Sequence, residues 1–408
     1  MLADDREGAG AMNPCVIIGG GPAGLAASAA LTARGIDHLI LERGQVGQSW
    51  RTQRWDSFRL NTPGWMNPVL GEQPRDAYLT GPEVVKLLED LGAGAPVHER
   101  VTVSGLEPAG GGFVLRTSDG QVRARTVIAA TGGENVPYLP RLSTRLPDRI
   151  AQVHVANYRS PEALPAGSVL VVGSAQSGCQ IAEDLVTGGR RVILATSQVG
   201  RVPTPYRGRD TVEWLAEAGF FDQRPSDLPD PSLMHQPQPV VAPGGRGLSL
   251  QALARSGVTL AGRLVDVGGE QVRFDDTAAA NVAAGDAFAA RVRTQVDGAI
   301  ASRGVAAVPA QPDAAEVPIE LSPTRVDLRE QDVSAVVWCT GFTGDFSWLG
   351  AGLVDVDGKP RRRDAAAPIP GLWYLGLRWL IRRASSILYG LPGDADTVAD
   401  AVRARLSR

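Results

Sequence analysis

The chain has 408 residues, of which 43% are hydrophobic and 21% charged, with a formal net charge of -3. That length exceeds a single core and makes two domains the default, with the composition of an ordinary globular protein. The near-neutral charge gives no reason to expect nucleic acid or an anionic membrane as partner, and the apolar runs fall short of the ~18 residues of a membrane span.

The opening, MLADDREGAGAMNP, is acidic and polar. It does not read as a secretory signal, and residues 1–13 are expected to be a disordered leader. A strand follows at 15–19, a helix at 23–34 and a second strand at 38–42. Their junction, CVIIGGGPAGLAASAAL, carries GxGxxG as Gly19, Gly21 and Gly24, with Pro22 and Ala23 inside it. The first glycine permits the tight turn, the second lets backbone approach a pyrophosphate, and the third lets helix and strand pack closely. Glu42 stands 23 residues after Gly19, near the ~20 expected of an acid that binds ribose hydroxyls. The pattern suits the adenosine half of FAD or NAD.

After a Trp-rich loop come a helix at 81–92 and strands at 100–106, 112–117 and 121–130. The stretch RARTVIAATGG runs into Thr131 and Gly132. A Pro-rich connection (137–165) leads to VLVVGSAQSGCQIAEDL at 169–185, which overlays the first loop without a gap. Gly173, Ala175 and Gly178 match the three glycines, with Ser174, Gln176 and Ser177 between them. Ala175 adds a methyl where backbone approaches the pyrophosphate. A positive φ there would cost ~1–2 kcal/mol, and a negative φ only a small steric shift. The residue matching Glu42 is Thr196, followed by Ser197 and, nearby, Arg201. Hydroxyls and an arginine accommodate a 2′-phosphate that a carboxylate would repel, so the second loop is expected to prefer NADPH to NADH.

Residues 201–250 are Pro/Gly/Arg-rich and read as a long functional loop or insertion, and 279–303 read as a helix. SAVVWCTGF (334–342) repeats the plan of TVIAATGG and ends on Thr340 and Gly341. An amphipathic helix is expected from Asp394, entered through the Gly390 turn. The three cysteines, Cys15, Cys179 and Cys339, form no CxxC pair and no zinc spacing, so packing roles and no metal are expected. Cytoplasmic residence fits.

At this point the chain resembles the two-dinucleotide-binding flavoproteins, and among them the flavin-containing monooxygenases, nearest the short bacterial and plant YUCCA-type branch. The resemblance rests on GGGPAGLA (19–26), GQSWRTQRWDSFRLNTP (47–63), ATGG (130–133) and HVANYRSP (154–161). It continues through VVGSAQSGCQIAEDL (171–185), WCTGF (338–342), GLWYLGLRWL (371–380) and SSILYGLPGDAD (385–396). Of the family's FxGxxxHxxxY fingerprint only His154 and Tyr158 match, Asp148 and Ile150 replacing the Phe and Gly; a Baeyer–Villiger enzyme would typically end it in Trp. The resemblance implies an α/β fold of two Rossmann-like dinucleotide-binding domains (FAD/NAD(P)-binding, glutathione-reductase-like), the NADPH domain inserted in the FAD domain. The boundaries expected are 14–163 with 331–408 for FAD and 164–330 for NADPH.

It further implies that NADPH reduces the flavin, that oxygen adds at C4a, and that the hydroperoxide so formed delivers one oxygen atom to a small substrate. Asn61 in RLNTP would lie beside the flavin ring, or else serve as a turn residue. Arg43, Gln48, Ser49, Trp50, Arg51 and Leu60 would line FAD, and the Gly390–Asp394 turn would aim helix N–H groups at the flavin pyrimidine edge. His154 is a candidate base or a hinge residue. The expected partners are a small-molecule substrate and O2, with a homodimer allowed for. Its substrate pocket is sought in 201–250 and 64–80. The alternatives are an NAD(P)H-dependent flavin oxidoreductase acting on a small acceptor, Baeyer–Villiger oxygenation, and a flavin-bound sensor.

Overall fold

In the first strand, β1 (Asn13–Ile18), every side chain from Cys15 onward is buried, as in a parallel sheet covered on both faces. The computed structural model describes residues 12–241, 248–313, 315–317, 319–320 and 324–408. The expected leader therefore lies, up to residue 11, outside the described residues. From β1 the chain crosses through α1 (Pro22–Thr32) to β2 (His38–Glu42), which pairs with β1 in parallel. A short α2 (Gln48–Thr52) and α3 (Gly81–Ala93) follow, α3 opened by a reciprocal capping box between Thr80 and Glu83. Edge strand β3 (Val97–Glu99) and a meander of β4 (Val103–Ala109), β5 (Gly112–Thr117) and β6 (Gly120–Ala129) complete a sheet ordered β3-β2-β1-β6-β5-β4.

The chain then passes β7 (Val136–Pro137) into a second, all-parallel sheet. This begins with β8 (Ala151–His154) and β9 (Ser168–Val172), then α4 (Gln176–Thr187) and β10 (Val192–Ala195). The following stretch holds α5 (Thr211–Glu217) and α6 (Leu250–Arg255), so the expected irregular segment is partly helical; its residues 242–247 lie outside the described residues. Strand β11 (Thr259–Ala261), hairpin β12 (Leu264–Gly268) and β13 (Gln271–Phe274), α7 (Ala278–Arg303), β14 (Arg325–Asp327) and β15 (Val333–Trp338) come next. The second sheet is ordered β11-β10-β9-β15-β8.

Strand β16 (Phe342–Thr343) pairs antiparallel with β7, making a two-stranded strap where the chain leaves and re-enters the first layer. Strand β17 (Leu372–Tyr374) joins β6, and α8 (Leu391–Leu406) ends the chain against α1, where Arg34 bonds Asp396 and Asp400. These pairings correct the expected boundaries. Residues 151–154 and 333–338 stand in the second sheet, so the crossings fall before β8 and after β15 rather than at 163/164 and 330/331. The cause is that β15 must flank β9 as β6 flanks β1. No helix among the described residues is long and apolar enough to cross a membrane.

Candidate cofactor and active site

The two glycine loops fold to the same geometry. Gly19 and Gly173 have φ of +109° and +105°, values open to glycine. Their N–H groups donate to Leu41 O at 2.8 Å and Ala195 O at 3.0 Å. A Cβ on Gly24 would lie 1.9 Å from Gly19 O, and one on Gly178 1.8 Å from Gly173 O; the third glycine is thus required by helix–strand contact in both loops. Gly21 caps α1 at φ -85° and Ala175 caps α4 at φ -73°. Ala175 therefore carries no backbone strain, and a Cβ at Gly21 would itself meet nothing within 4 Å. That open space, above first-turn N–H groups that have no intrahelical acceptor, fits a pyrophosphate. Pro22 and Ala23 form the first turn of α1, and Ser177 lies half-buried in that of α4.

Because Leu41 and Ala195 receive equivalent hydrogen bonds, Glu42 and Thr196 are equivalent positions. Glu42 is buried, and its two oxygens accept from Gly20 N and Gly44 N, each at 2.7 Å. The remaining lone pairs of this carboxylate are free for ribose hydroxyls. Thr196 is also buried, but its hydroxyl donates to Ala261 O at 2.7 Å and accepts from Asn281 Nδ2 at 2.9 Å. Ser174 Oγ closes the turn by accepting from Ser197 N at 2.9 Å. Arg201 is enclosed, held by Asp286 and Asp313 at 2.7 Å each. Two of the three residues expected at a 2′-phosphate are thus engaged within the protein; Ser197, half-buried, keeps its side chain at that edge.

Each loop is closed by one of the two Thr-Gly junctions. A Cβ on Gly19 would meet Ala130 O at 2.6 Å, and one on Gly173 would meet Cys339 O at 2.4 Å. Gly132 and Gly341 both have positive φ, +71° and +84°. The junctions differ in their hydroxyls. Thr131 Oγ1 is buried without a partner, whereas Thr340 Oγ1 donates to Tyr138 O at 2.6 Å. Gly341 O accepts from Tyr138 N and from His154. Thr340 and Gly341 therefore fasten the strap, and the first junction alone presents a free hydroxyl to its loop.

The turn into α8 converges on the same end of the first layer. A Cβ on Gly376 would lie 2.8 Å from Ala23 Cβ, and one on Gly390 2.4 Å from Ala384 O. Gly390 caps α8, and Asp394 is wholly buried in the helix's first turns. Its Oδ1 accepts from Arg382 Nε at 2.9 Å, while Oδ2 is buried with no partner. Burial pushes the Asp394 carboxyl above the usual carboxylate range, the Ser385 hydroxyl and Arg382 opposing. Two orphaned buried oxygens, on Thr131 and Asp394, mark polar positions that a bound polar ring or phosphate would satisfy. The residues present fit a flavin nucleotide.

The segment 47–63 divides by role. Arg51 binds Val46 O at 2.9 Å and Glu89 at 2.7 Å, fastening α2 to α3 rather than facing a ligand. Gln48 Oε1 accepts from Gln45 N at 3.1 Å, folding over Gly44. Gln176 is likewise engaged, pairing with the backbone of Val241 at 2.7 and 2.9 Å. Arg43 and Ser49 are exposed, Trp50 half-buried, and Leu60 buried in the first core. Asn61 is half-buried, and its side chain has no hydrogen bond among the described residues, while Asn67 Nδ2 pins the turn through Pro63 O at 3.0 Å. Asn61 is thus an unengaged amide beside a turn that Asn67 pins. Sequence reading missed Arg54, whose aromatic neighbours Trp50 and Phe58 flank it four residues away on each side.

His154 is not placed as a base. Its Nδ1 accepts from Ala156 N at 3.2 Å, so Nε2 carries the proton and donates to Gly341 O at 3.0 Å. Both nitrogens are engaged by backbone, and burial lowers its pKa. It ties β8 to the strap. Tyr158 is also structural, donating to Asp184 Oδ2 at 2.6 Å. The three cysteines are buried and unpaired, and burial pushes Cys15 and Cys179 up to about 12. No metal-holding group of side chains exists among the described residues.

Residues 16–207 match the family model described as pyridine nucleotide-disulphide oxidoreductase. An uncharacterized CzcO-like oxidoreductase of Geobacillus kaustophilus is 27% identical over 390 residues, 93% of this chain and 95% of that one. The indole-3-pyruvate monooxygenase YUCCA1 of Oryza sativa is 32% identical over 187 residues, 43% of this chain and 46% of that protein. A flavin-containing monooxygenase from Stenotrophomonas maltophilia superposes with a TM-score of 0.64 at 21% identity, covering 96% of this chain and 98% of that one. The ornithine N-hydroxylase of Kutzneria sp. 744, with FADred, NADP+ and L-orn, gives 0.62 at 15% identity, covering 97% and 100%. The two superpositions establish a shared fold.

Proposed function

We propose that this chain is a flavin-containing monooxygenase that uses NADPH and FAD to insert one oxygen atom of O2 into a small organic substrate. The observation that carries this reading is the pair of superimposable cradles of which only the first has the ribose-binding acid. FAD fits the cradle of Gly19, Gly21, Gly24, Glu42 and Thr131, and the nicotinamide nucleotide that of Gly173, Ala175, Ser177 and Gly178. Bound there, the flavin would supply electron storage and oxygen activation, and the protein supplies orientation and dryness. Asn61 would offer its amide as a weak donor and acceptor without a strong acid. Buried, unpaired cysteines remove a dithiol route for electrons.

The preference for NADPH rests on the missing acid at Thr196 together with Ser197, since Arg201 is engaged elsewhere. Segments 64–80 and 201–250, expected to line the substrate pocket, meet: Arg75 bonds Glu213 at 2.9 Å, and Met66 shares a core cluster with Val202, Tyr206 and Trp214. The oxygenation is of the N- or S-oxidation or oxidative decarboxylation type.

Stopped-flow absorbance tests this. NADPH should bleach the flavin anaerobically, and O2 should then produce a transient spectrum distinct from both oxidised and reduced forms. Direct return to the oxidised spectrum would replace the monooxygenase reading with that of a flavin reductase. Equal bleaching rates with NADPH and NADH would remove the proposed preference.

A further inference from the structure

The segment after α2 bridges the two layers. Trp50 packs on the first core, Trp55 belongs to the second, and Phe58 touches both. Ser57 Oγ reaches α4 through Asp184 at 2.6 Å. Among these residues lies Arg54, its guanidinium 4.5 Å from the centre of the Trp50 ring and 5.2 Å from that of Phe58. Of its five N–H donors, the bond seen among the described residues is a single one, to the adjacent Gln53 O at 2.9 Å.

Arg54 is half-buried, and other arginines have more acceptors, Arg383 over Phe220 and Trp379 being held twice by Gln223 Oε1. Arg201 has two carboxylates, Arg382 has Asp394 and Asp222, and Arg190 and Arg362 each reach several backbone carbonyls. Arg54 has no carboxylate within ion-pair distance among the described residues; Glu134 acts on it only from farther off. Burial lowers its pKa to about 10, with Glu134 opposing. Aromatic rings stabilise the flat faces of a guanidinium and leave its edge, the donor fork that matches an oxyanion, unused. A half-buried guanidinium without an ion-pair partner leaves its donor fork available to an arriving anion.

We propose that Arg54 is the anion-recognising group of the seam between the two layers, taking an oxyanion by its fork. Two sources share this chemistry: a phosphate oxygen of the nicotinamide nucleotide and the carboxylate of an acidic substrate. The inference rests on the seam being where cofactor and substrate meet, as in the function proposed above.

The test uses FAD-loaded protein and the variants Arg54→Gln and Arg54→Lys, with Kd measured calorimetrically for NADP+, phenylacetate and neutral phenylacetamide. For Arg54→Gln, the Kd of NADP+ or of phenylacetate should rise at least tenfold, with Arg54→Lys in between and phenylacetamide unchanged. A loss confined to NADP+ identifies the nucleotide as the source, and one confined to phenylacetate identifies the substrate. Unchanged Kd for both anions, or an equal loss for phenylacetamide, overturns the proposal. Should the variants not fold, phenylglyoxal modification of wild-type Arg54 decides: NADP+ or phenylacetate should slow it, and identical rates with and without both overturn it. A wild-type protein that does not load FAD would defeat the flavoprotein reading separately, and the phenylglyoxal measurement would still decide Arg54.

Discussion

At the residue scale the two loops show which glycines are needed and why. Ala175 sits at φ -73°, where any L-residue is comfortable. We expect Ala175→Gly to change stability by no more than about 0.5 kcal/mol and the Kd for NADP+ by less than twofold. Gly178→Ala is the opposite case, its methyl colliding with Gly173 O. It should cost about 3 kcal/mol or more and abolish NADP+ binding while FAD is retained, read by thermal melting and calorimetry. His154 makes a prediction in pH. Its folded pKa lies below the ordinary value of 6.5, so the unfolded chain binds the proton more readily. Its contribution is complete above about pH 6.5 and is lost as pH falls through the folded pKa. Replacing it with Gln should flatten that acidic slope in melting temperature against pH, and should leave flavin reduction at pH 8 within about threefold. A collapse of reduction there would return His154 to the chemistry.

At the element scale, side chains from distant segments hold the loops in place. Asn281 on α7 bonds Thr196 at the end of β10, and Gln176 at the start of α4 bonds Val241. Arg382 and Arg383, just before α8, hold the segment that follows α5. Arg382 reaches Asp222 at 3.2 Å, and Arg383 binds Gln223 at 2.8 Å while lying 4.0 Å from the Phe220 ring centre. Arg382→Ala would strip the buried Asp394 of its counter-ion. The loss should approach 3 kcal/mol or more, with faster tryptic cleavage within 220–236 seen by mass spectrometry. Glu42→Ala leaves two backbone N–H groups without acceptors, about 1–3 kcal/mol. Its sharper consequence should be loss of bound flavin, read as the A450/A280 ratio of the purified protein.

At the scale of the whole molecule, each layer is a parallel core whose central strand is flanked on the side away from its crossover by a strand that returns from far along the chain. β6 closes the first loop and β15 the second. The β7–β16 strap carries both passages between layers, with His154 and Thr340 fastened to it. The molecule is therefore two similar cradles, linked in chain by the two-stranded strap and packed together through the segment after α2 and the Arg75–Glu213 and Arg382–Asp222 pairs. Weakening the strap with Thr340→Val should leave each site's affinity within about threefold and slow the bleaching of flavin by NADPH several-fold.

Much of this was legible in local pattern. The glycine spacing, the acid at Glu42, its absence at Thr196, and the helices at 81–92 and 279–303 follow from period, turn chemistry and residue type, which act within a few residues. Whether an identified side chain faces a ligand was not legible. Arg201, Arg51, Gln176 and Thr340 have the right chemistry at the right spacing, yet each is engaged by a partner far away in sequence or by backbone that only packing brings near. The reverse holds for Arg54, flanked by its aromatic neighbours in the sequence but identified as lacking an anion only once the surrounding side chains are in place. Sequence alone determined that this protein has two nucleotide loops and that they are chemically unlike, because both properties reside in contiguous residues. The tertiary structure alone decided which polar groups remain free to meet a ligand, because a hydrogen bond is exclusive and its partner is chosen by proximity in space.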